Sequence, residues 1–265
     1  MTCPNCAFAD SVHIQSKYLV AELRQCNRCR IYFRYPLDSN ADNFHFYQES
    51  YDEPGFTTSL PSDSNLASLI ETGFRGTEKD YAGLIKVLNS LGLPKQARII
   101  DFGCSWGFGT WQLQNAGFQT VGYEISKPRA AFAREKMNLS VYDEMSMVEG
   151  GFDVFFSSHV LEHVPCVNNA IAIARKLLRP GGLFVAITPN GSAPFRKQNE
   201  ALFHSGWGKS HPNVLSDEFY RTVFSACPLF LNSTPYDYKA ISDWNKTDSL
   251  SLDVSGFELL AVAVL

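Results

Sequence analysis

Two groups of residues have the types and spacing to do chemistry. The first is Asp101-Phe102-Gly103-Cys104-Ser105-Trp106-Gly107, an acid followed by a run in which every second residue is small, continuing to Gly109. Small residues let the backbone approach a ligand closely, and a helix starting behind them presents free N–H groups. A glycine-rich turn alone is shared by many nucleotide binders. The acid narrows the choice, because a carboxylate at Asp101 repels a pyrophosphate and suits a cationic amino-acid group. Glu124 and Asp143 end two later strand-like segments. There Glu124 can accept hydrogen bonds from both hydroxyls of a ribose, and Asp143 can accept from an adenine amino group. The three acids together describe a site for an adenosine with a cationic tail.

The second group is Cys3-x-x-Cys6 and Cys26-x-x-Cys29, two knuckles with nineteen residues between them. A two-residue gap lets both thiolates of a knuckle reach one ion, and two knuckles complete a tetrahedron. This is the spacing of a four-cysteine zinc ribbon. Four protein ligands leave no open position, so the zinc is expected to be structural. Cys104, Cys166 and Cys227 are scattered and read as packing or loop residues.

These groups need elements to hold them. Val12 to Val20, Glu22 to Gln25 and Ile31-Tyr32-Phe33 read as short strands of the ribbon, residues 1–40. Residues 41–79 are polar and turn-rich, with Glu53-Pro54-Gly55 and Leu60-Pro61-Ser62, yet carry Phe44, Phe46, Tyr47, Tyr51 and Phe56. So many aromatics suggest a segment folded back on the main domain, as a lid or as the docking surface of the ribbon. From about Glu78 helical and strand patterns alternate. Arg98 to Asp101, Thr120 to Glu124, Leu139 to Asp143, Phe152 to Phe156 and Leu183 to Ile187 read as strands separated by helices. The last two are continuous apolar runs, as in strands covered on both faces. A final strand, Phe257 to Leu265, is expected to pair antiparallel with one near Leu229 to Asn232. The succession implies a doubly wound α/β sheet over residues 80–265, with ligands bound beyond the first strand at the topological switch point.

At this point the sequence resembles the class I S-adenosylmethionine-dependent methyltransferases. The resemblance rests on Arg98 to Gly107, Val121 to Ile125, Phe152 to Val164 with its Leu161-Glu162-His163-Val164, and Leu178-Arg179-Pro180-Gly181-Gly182-Leu183. It implies a mostly parallel, seven-stranded, Rossmann-like sheet. It also implies methyl transfer from S-adenosylmethionine to a small molecule. Asp101 and Gly103 are then expected at the methionine part, Glu124 at the ribose, Ile125 and Met145 beside the adenine, and Asp143 at its amino group, with Ser105, Gly107 and Ser158 also among the cofactor-binding residues. Ser105 stands where the family often has a glycine. The glutamate-histidine run is similar to the branch containing ubiquinone-biosynthesis enzymes. An N-terminal zinc ribbon resembles enzymes that tailor sugars and secondary metabolites, which makes such an intermediate the suggested acceptor.

His159 and His211 are the candidate bases for a hydroxyl acceptor, while His163 reads as ordering a helix start and Trp207 as a packing anchor. Two other readings stay open. Gly103-x-x-x-Gly107-x-Gly109 with Tyr123-x-x-x-Lys127 mimics a nicotinamide-dependent dehydrogenase, although that pair straddles the end of a strand. A zinc-ribbon adaptor on a silent methylase fold is the other. The net charge of −4 argues against a duplex nucleic-acid partner. Neither a leader pattern nor a membrane-length apolar run is evident, so a cytoplasmic protein with reduced cysteines is expected. The ribbon and the aromatic segment are expected to shape the acceptor entrance or to mediate a homodimer.

Overall fold

The computed structural model describes residues 1–50 and 59–265. Tyr51, Phe56 and the turn Glu53-Pro54-Gly55 lie outside them. Among the described residues the strands are β1 (Ser11–Lys17), β2 (Ala21–Cys26), β3 (Tyr32–Tyr35), β4 (Arg98–Phe102), β5 (Gln119–Tyr123), β6 (Val141–Tyr142), β7 (Phe152–Ser158), β8 (Leu178–Pro189), β9 (Asn213–Val214), β10 (Leu229–Ser233), β11 (Leu250–Ser251) and β12 (Glu258–Val264). They form two sheets, β1-β2-β3-β9 and β11-β10-β12-β8-β7-β4-β5-β6.

The large sheet has eight strands, one more than expected, because the two-residue β11 adds to the edge of β10. β6, β5, β4, β7 and β8 run parallel, while β12 is antiparallel to both β8 and β10. Period-two alternation sends neighbours to opposite faces. Ile100, Phe155, Phe184 and Leu259 join one apolar cluster, and Ile99, Val154, Phe156, Val185 and Leu260 the other. The helix Val167–Leu177 covers the first face with Val167, Ala170, Ile171, Ala174 and Leu177 at helical spacing. The helix Ala82–Ser90 covers the second with Val87 and Leu88. β4 pairs with β5 on one side and β7 on the other, so the chain switches direction around it and a crevice opens at its C-terminal end.

The ribbon is built into this body. Cys3, Cys26, Cys29, Ile31 and Phe33 are buried in the same cluster as Phe155 and Phe184. Asn5 accepts from the Asn168 N–H at 2.7 Å, and Asn168 Nδ2 donates to the Asn5 carbonyl at 2.8 Å. β9, contributed from beyond β8, completes the ribbon's sheet against β3.

Candidate functional site

The loop after β4 is held by its neighbours. The N–H groups of Gly103 and Cys104 both donate to the Tyr123 carbonyl, at 2.8 and 3.0 Å. Gly103 sits at φ +81, and a Cβ there would stand 2.4 Å from Val160 Cγ2, so neither backbone nor space admits a side chain. Gly107 (φ +90) faces Leu139 and Ala133 in the same way and serves helix packing. Ser105 takes φ 51, a left-handed conformation that glycine would adopt more cheaply. Its hydroxyl compensates by accepting from Arg129 Nη1 at 3.0 Å.

Glu124, just past β5, is 4% exposed and anchors this arrangement. Its Oε2 accepts from the Ser105 N–H at 2.9 Å and its Oε1 from the Ser126 N–H at 2.8 Å. Each oxygen retains a second lone pair for a ligand hydroxyl. Burial raises its pKa, while the two N–H donors and Arg129 oppose that rise.

A cavity of about 270 Å³ opens at this point. Gly103, Ser105, Glu124, Ile125, Ser158 and His159 line it, together with Tyr81, Tyr123, His163, Asn43 and Tyr47. The structure thus brings six of the expected residues to one cavity. The aromatic segment reaches it too. Gln48 Nε2 donates to the Ile125 carbonyl at 2.7 Å, which pins that segment beside the end of β5.

Other expected residues lie elsewhere. Asp101 is one layer behind the wall. It is 2% exposed and accepts from Thr110 Oγ1 at 2.7 Å, and burial pushes its pKa up to about 7. Gly107 caps the helix Phe108–Asn115 and faces Leu139 and Ala133. Asp143 is drawn away by Arg134, 3.3 Å distant, and half-buried Met145 packs against the core. His159 lines the cavity, but its Nε2 is 2.9 Å from Glu258 Oε1 and its Nδ1 is 3.5 Å from Glu162 Oε1. Burial acts to lower its pKa, but the hydrogen bonds and charges of these carboxylates outweigh it and lift the pKa to about 10. With its Nε2 bonded to Glu258 and its Nδ1 turned toward the Glu162 carboxylate, His159 is favoured as the imidazolium, a form that has no lone pair with which to take a proton.

His211 borders a neighbouring cavity of about 180 Å³ with Glu162, Asn190, Phe195 and Phe257. Its ring packs edge-on against His163, centroids 4.6 Å apart. Trp207 is a packing residue, 2% exposed, whose indole donates to Gln15 Oε1 at 3.0 Å and ties this segment to the ribbon.

The four knuckle cysteines converge. Cys3 and Cys29 Sγ are 3.7 Å apart, Cys6 and Cys26 Sγ 3.5 Å, and all four sulfurs lie within 4.8 Å of one another. A tetrahedral zinc with bonds of about 2.3 Å needs sulfurs about 3.8 Å apart, so the cluster fits with small adjustments. The Arg28 N–H, 3.4 Å from Cys26 Sγ, and Asn5 Nδ2, 3.6 Å from Cys29 Sγ, supply donors suited to thiolates. Ala7 and Arg30, each following a knuckle, turn through positive φ to bring the pairs together.

Sequence reasoning missed Arg129, Tyr81 and Asn43, while Tyr47 belongs to the aromatic segment already read as a possible lid. Arg129 is fully buried on the helix Lys127–Lys136, where Lys127, Arg129, Arg134 and Lys136 read alike as solvated cations and only Ala130 and Ala133 mark the inner face. Tyr81 packs against Gly109, where a Cβ would meet its ring at 2.3 Å. That close approach is the one signal, Gly109 itself, which the sequence offered.

The family model described as a methyltransferase domain matches residues 77–226. Among curated proteins, a ubiquinone biosynthesis O-methyltransferase of Nitrosococcus oceani is 32% identical over 95 residues, 32% of this chain and 40% of that protein. One from Agrobacterium fabrum is 25% identical over 173 residues, covering 59% and 69%. The chain thus spans only about two fifths of the length of the first of these relatives. Among solved structures, the magnesium protoporphyrin IX methyltransferase of Synechocystis, determined with bound SAH, superposes with a TM-score of 0.54 at 13% identity, covering 86% of this chain and 99% of that one. The plantazolicin methyltransferase BpumL gives 0.52 at 11% identity, covering 84% and 95%. At those identities the likeness is one of fold, the Rossmann-like α/β sheet described above. The family match covers more than half of the sequence and includes β4, β5, β7 and the loops that wall the cavity, and the chain belongs to the methyltransferase-domain family.

Proposed function

We propose that the protein transfers a methyl group from S-adenosylmethionine to a small-molecule acceptor. The observation that carries this reading is Glu124, a buried carboxylate at the end of β5 that faces the cavity with a lone pair free on each oxygen. Bound S-adenosylmethionine supplies an electrophilic sulfonium methyl. Glu124 would hold the two ribose hydroxyls, Ile125 would flank the adenine, and Gly103, Ser105 and Ser158 would surround the methionine part. Asp101 would act from behind, by fixing Thr110 and by supplying negative charge once the cationic tail draws off the proton that burial favours. Asp143 and Met145 would reach the adenine only after side-chain movement, which for Asp143 means release from Arg134. Alignment and exclusion of water are the protein's main contributions to an in-line displacement. Asn43 and Tyr47 at the rim supply part of that enclosure.

A hydroxyl acceptor must lose a proton as it is methylated. Glu162, His163 and His211 border the donor cavity and the one beside it, and we assign proton removal to this cluster. The apolar neighbours Phe195, Phe203 and Phe257 favour an acceptor with a hydrophobic body, such as a phenol or a secondary-metabolite intermediate, over a bare sugar. The ribbon is assigned a structural zinc.

Calorimetry with S-adenosylmethionine tests the reading. Glu124→Gln keeps the volume but loses the charge, which strengthens the two ribose hydrogen bonds by about 1 kcal/mol each, and its Nε2 cannot accept from the Ser105 or Ser126 N–H it faces. Binding should weaken roughly tenfold to a hundredfold, since one unit of ten is about 1.4 kcal/mol. Absence of binding by the wild-type protein at millimolar ligand would sink the proposal. Release of S-adenosylhomocysteine across phenols, sugar nucleotides and amines then identifies the acceptor.

A further inference from the structure

Arg129 is a cation placed behind the donor cavity and not in its wall. It is fully buried on the helix Lys127–Lys136 and is absent from the cavity lining. A buried cation is costly unless its charge and hydrogen bonds are used close by. Its Nη1 reaches the loop after β4 and donates to Ser105 Oγ at 3.0 Å. The Ser105 N–H donates in turn to Glu124 Oε2 at 2.9 Å. Arg129, Ser105 and Glu124 therefore form one hydrogen-bonded chain that joins a helix, a loop and a strand end.

The middle link of that chain is the strained one. Ser105 has a φ of 51, where a Cβ crowds the following carbonyl. Glycine takes such a turn without a hold. A hydroxyl that accepts from a guanidinium makes a charge-assisted bond, stronger than a neutral one. It fastens the turn that aims the Ser105 N–H at Glu124. A glycine would keep the N–H and drop the fastening.

The same cation bears unequally on two buried acids. Burial pushes up the carboxyls of both Glu124 and Asp101. At Glu124 the N–H groups of Ser126 and Ser105 oppose the rise, and the Arg129 charge opposes it further. At Asp101 the Thr110 hydroxyl opposes it, while the Glu124 charge adds to it. Arg129 thus favours charge on Glu124, the acid assigned to the ribose, and a proton on Asp101. Cys104 and Tyr123 also face Glu124, and burial holds both in the protonated form at neutral pH.

We infer that Arg129 is a positioning residue of the donor site, which locks Ser105 in its left-handed turn and supplies the counter-charge for Glu124. Its consequence for ribose binding rests on the donor reading of the cavity, whereas the lock is a property of the free protein. Arg129 acts on the donor only through Ser105 and Glu124. Serine in the loop and arginine on the next helix work as one unit, so a substitution at either changes what the other does.

The test uses the whole protein with Arg129→Met, which removes the charge, Arg129→Lys, which keeps it, and Arg129→Met combined with Ser105→Gly. Without donor, amide hydrogen exchange at Ser105 reads its bond to Glu124. It should be about tenfold faster in Arg129→Met and return toward wild type in the double variant, where glycine takes the turn unaided. Calorimetry with S-adenosylmethionine from pH 5 to pH 8 reads the charge. Losing the cation raises the Glu124 pKa, so the fall in affinity on acidification should begin about one pH unit higher than in wild type. That shift should persist in the double variant and be absent from Arg129→Lys. Asp101 titrates in this range in every variant, so each profile is compared with the wild type's. An arginine needed only for packing would weaken binding equally at every pH. Unchanged exchange in Arg129→Met, or a binding profile parallel to wild type, overturns the assignment. If the wild-type protein binds no donor at millimolar ligand, the proposed function fails and the exchange measurement alone decides the lock. If Arg129→Met does not fold, Ser105→Ala decides it, since only the hydroxyl is lost: exchange at position 105 as slow as in wild type overturns the lock.

Discussion

Replacing Asp101 by asparagine isolates the energetic consequence of an acid buried under the donor loop. Burial, with Glu124 adding a like charge, lifts the Asp101 pKa from 3.8 to about 7, although the Thr110 hydroxyl works against the rise. The folded pKa is raised above the unfolded one. The folded state therefore holds a proton that the unfolded chain has released between pH 4 and pH 7, and stability falls with pH across that window. A shift of about three units corresponds to about 4 kcal/mol at pH 8, an upper bound because water penetration relaxes a buried charge. Asparagine carries no charge at any pH, and its carbonyl can still accept from Thr110. The difference in unfolding free energy between Asp101→Asn and wild type should therefore grow steadily from pH 4 to pH 7 and level off above it, with a slope approaching about 1.4 kcal/mol per pH unit. Urea unfolding at pH 4, 5, 6, 7 and 8 measures it, with the buried indole of Trp106 in the same loop as a fluorescence reporter. Titrating groups that do not interact with Asp101 cancel in the difference, and its like-charged neighbour Glu124 adds to the same trend. A flat difference over the whole range would refute the reasoning, and so would an Asp101 carboxyl that titrates below pH 4 in the folded protein.

Two further outcomes follow from the same geometry. Gly103→Ala must place a Cβ at 2.4 Å from Val160 in a left-handed backbone, and should cost about 2–4 kcal/mol in urea unfolding together with loss of donor binding; a change under about 0.5 kcal/mol would contradict the close approach. Titrating the thiols with a mercurial should release one equivalent of zinc as the four knuckle cysteines react, and the stripped protein should lose the pairing of β3 with β9, seen as faster hydrogen exchange at Arg34 and Asn213; release below a tenth of an equivalent would remove the zinc from the ribbon.

Much of the sheet was legible because its signals are local. Phe152 to Phe156 and Leu183 to Ile187 announce strands by their apolar runs and Arg98 to Asp101 by Ile99-Ile100 ahead of the glycines, and the antiparallel pairing of the final strand with Leu229–Ser233 matches expectation. The third strand is shorter than the expected Leu139 to Asp143, since Val141–Tyr142 alone are paired and Asp143 leaves the sheet toward Arg134. The eighth strand was not expected because two residues carry no periodicity to read. Within the cavity, Gly103, Ser105 and Glu124 were legible because a tight turn and a strand end confine the side chains that can stand there, and Ile125 came with the family resemblance. Arg129 and Tyr81 were not, because nothing in a polar helix or before a helix start tells which side chain turns inward.

The sequence by itself determined the two knuckles and their spacing, the glycine-rich loop behind Asp101, and the carboxylate at Glu124. Each depends on residues a few positions apart, whose geometry is set by the local backbone. Only the tertiary structure decided that Asp101 stands behind the cavity and not in its wall, that His159 is locked between two carboxylates, and that His211 meets Glu162 and His163. Those outcomes depend on strands distant in sequence, above all on β9 closing the ribbon against β3. Which groups share a buried volume, and so which charges must compensate one another, is a property of the packed chain.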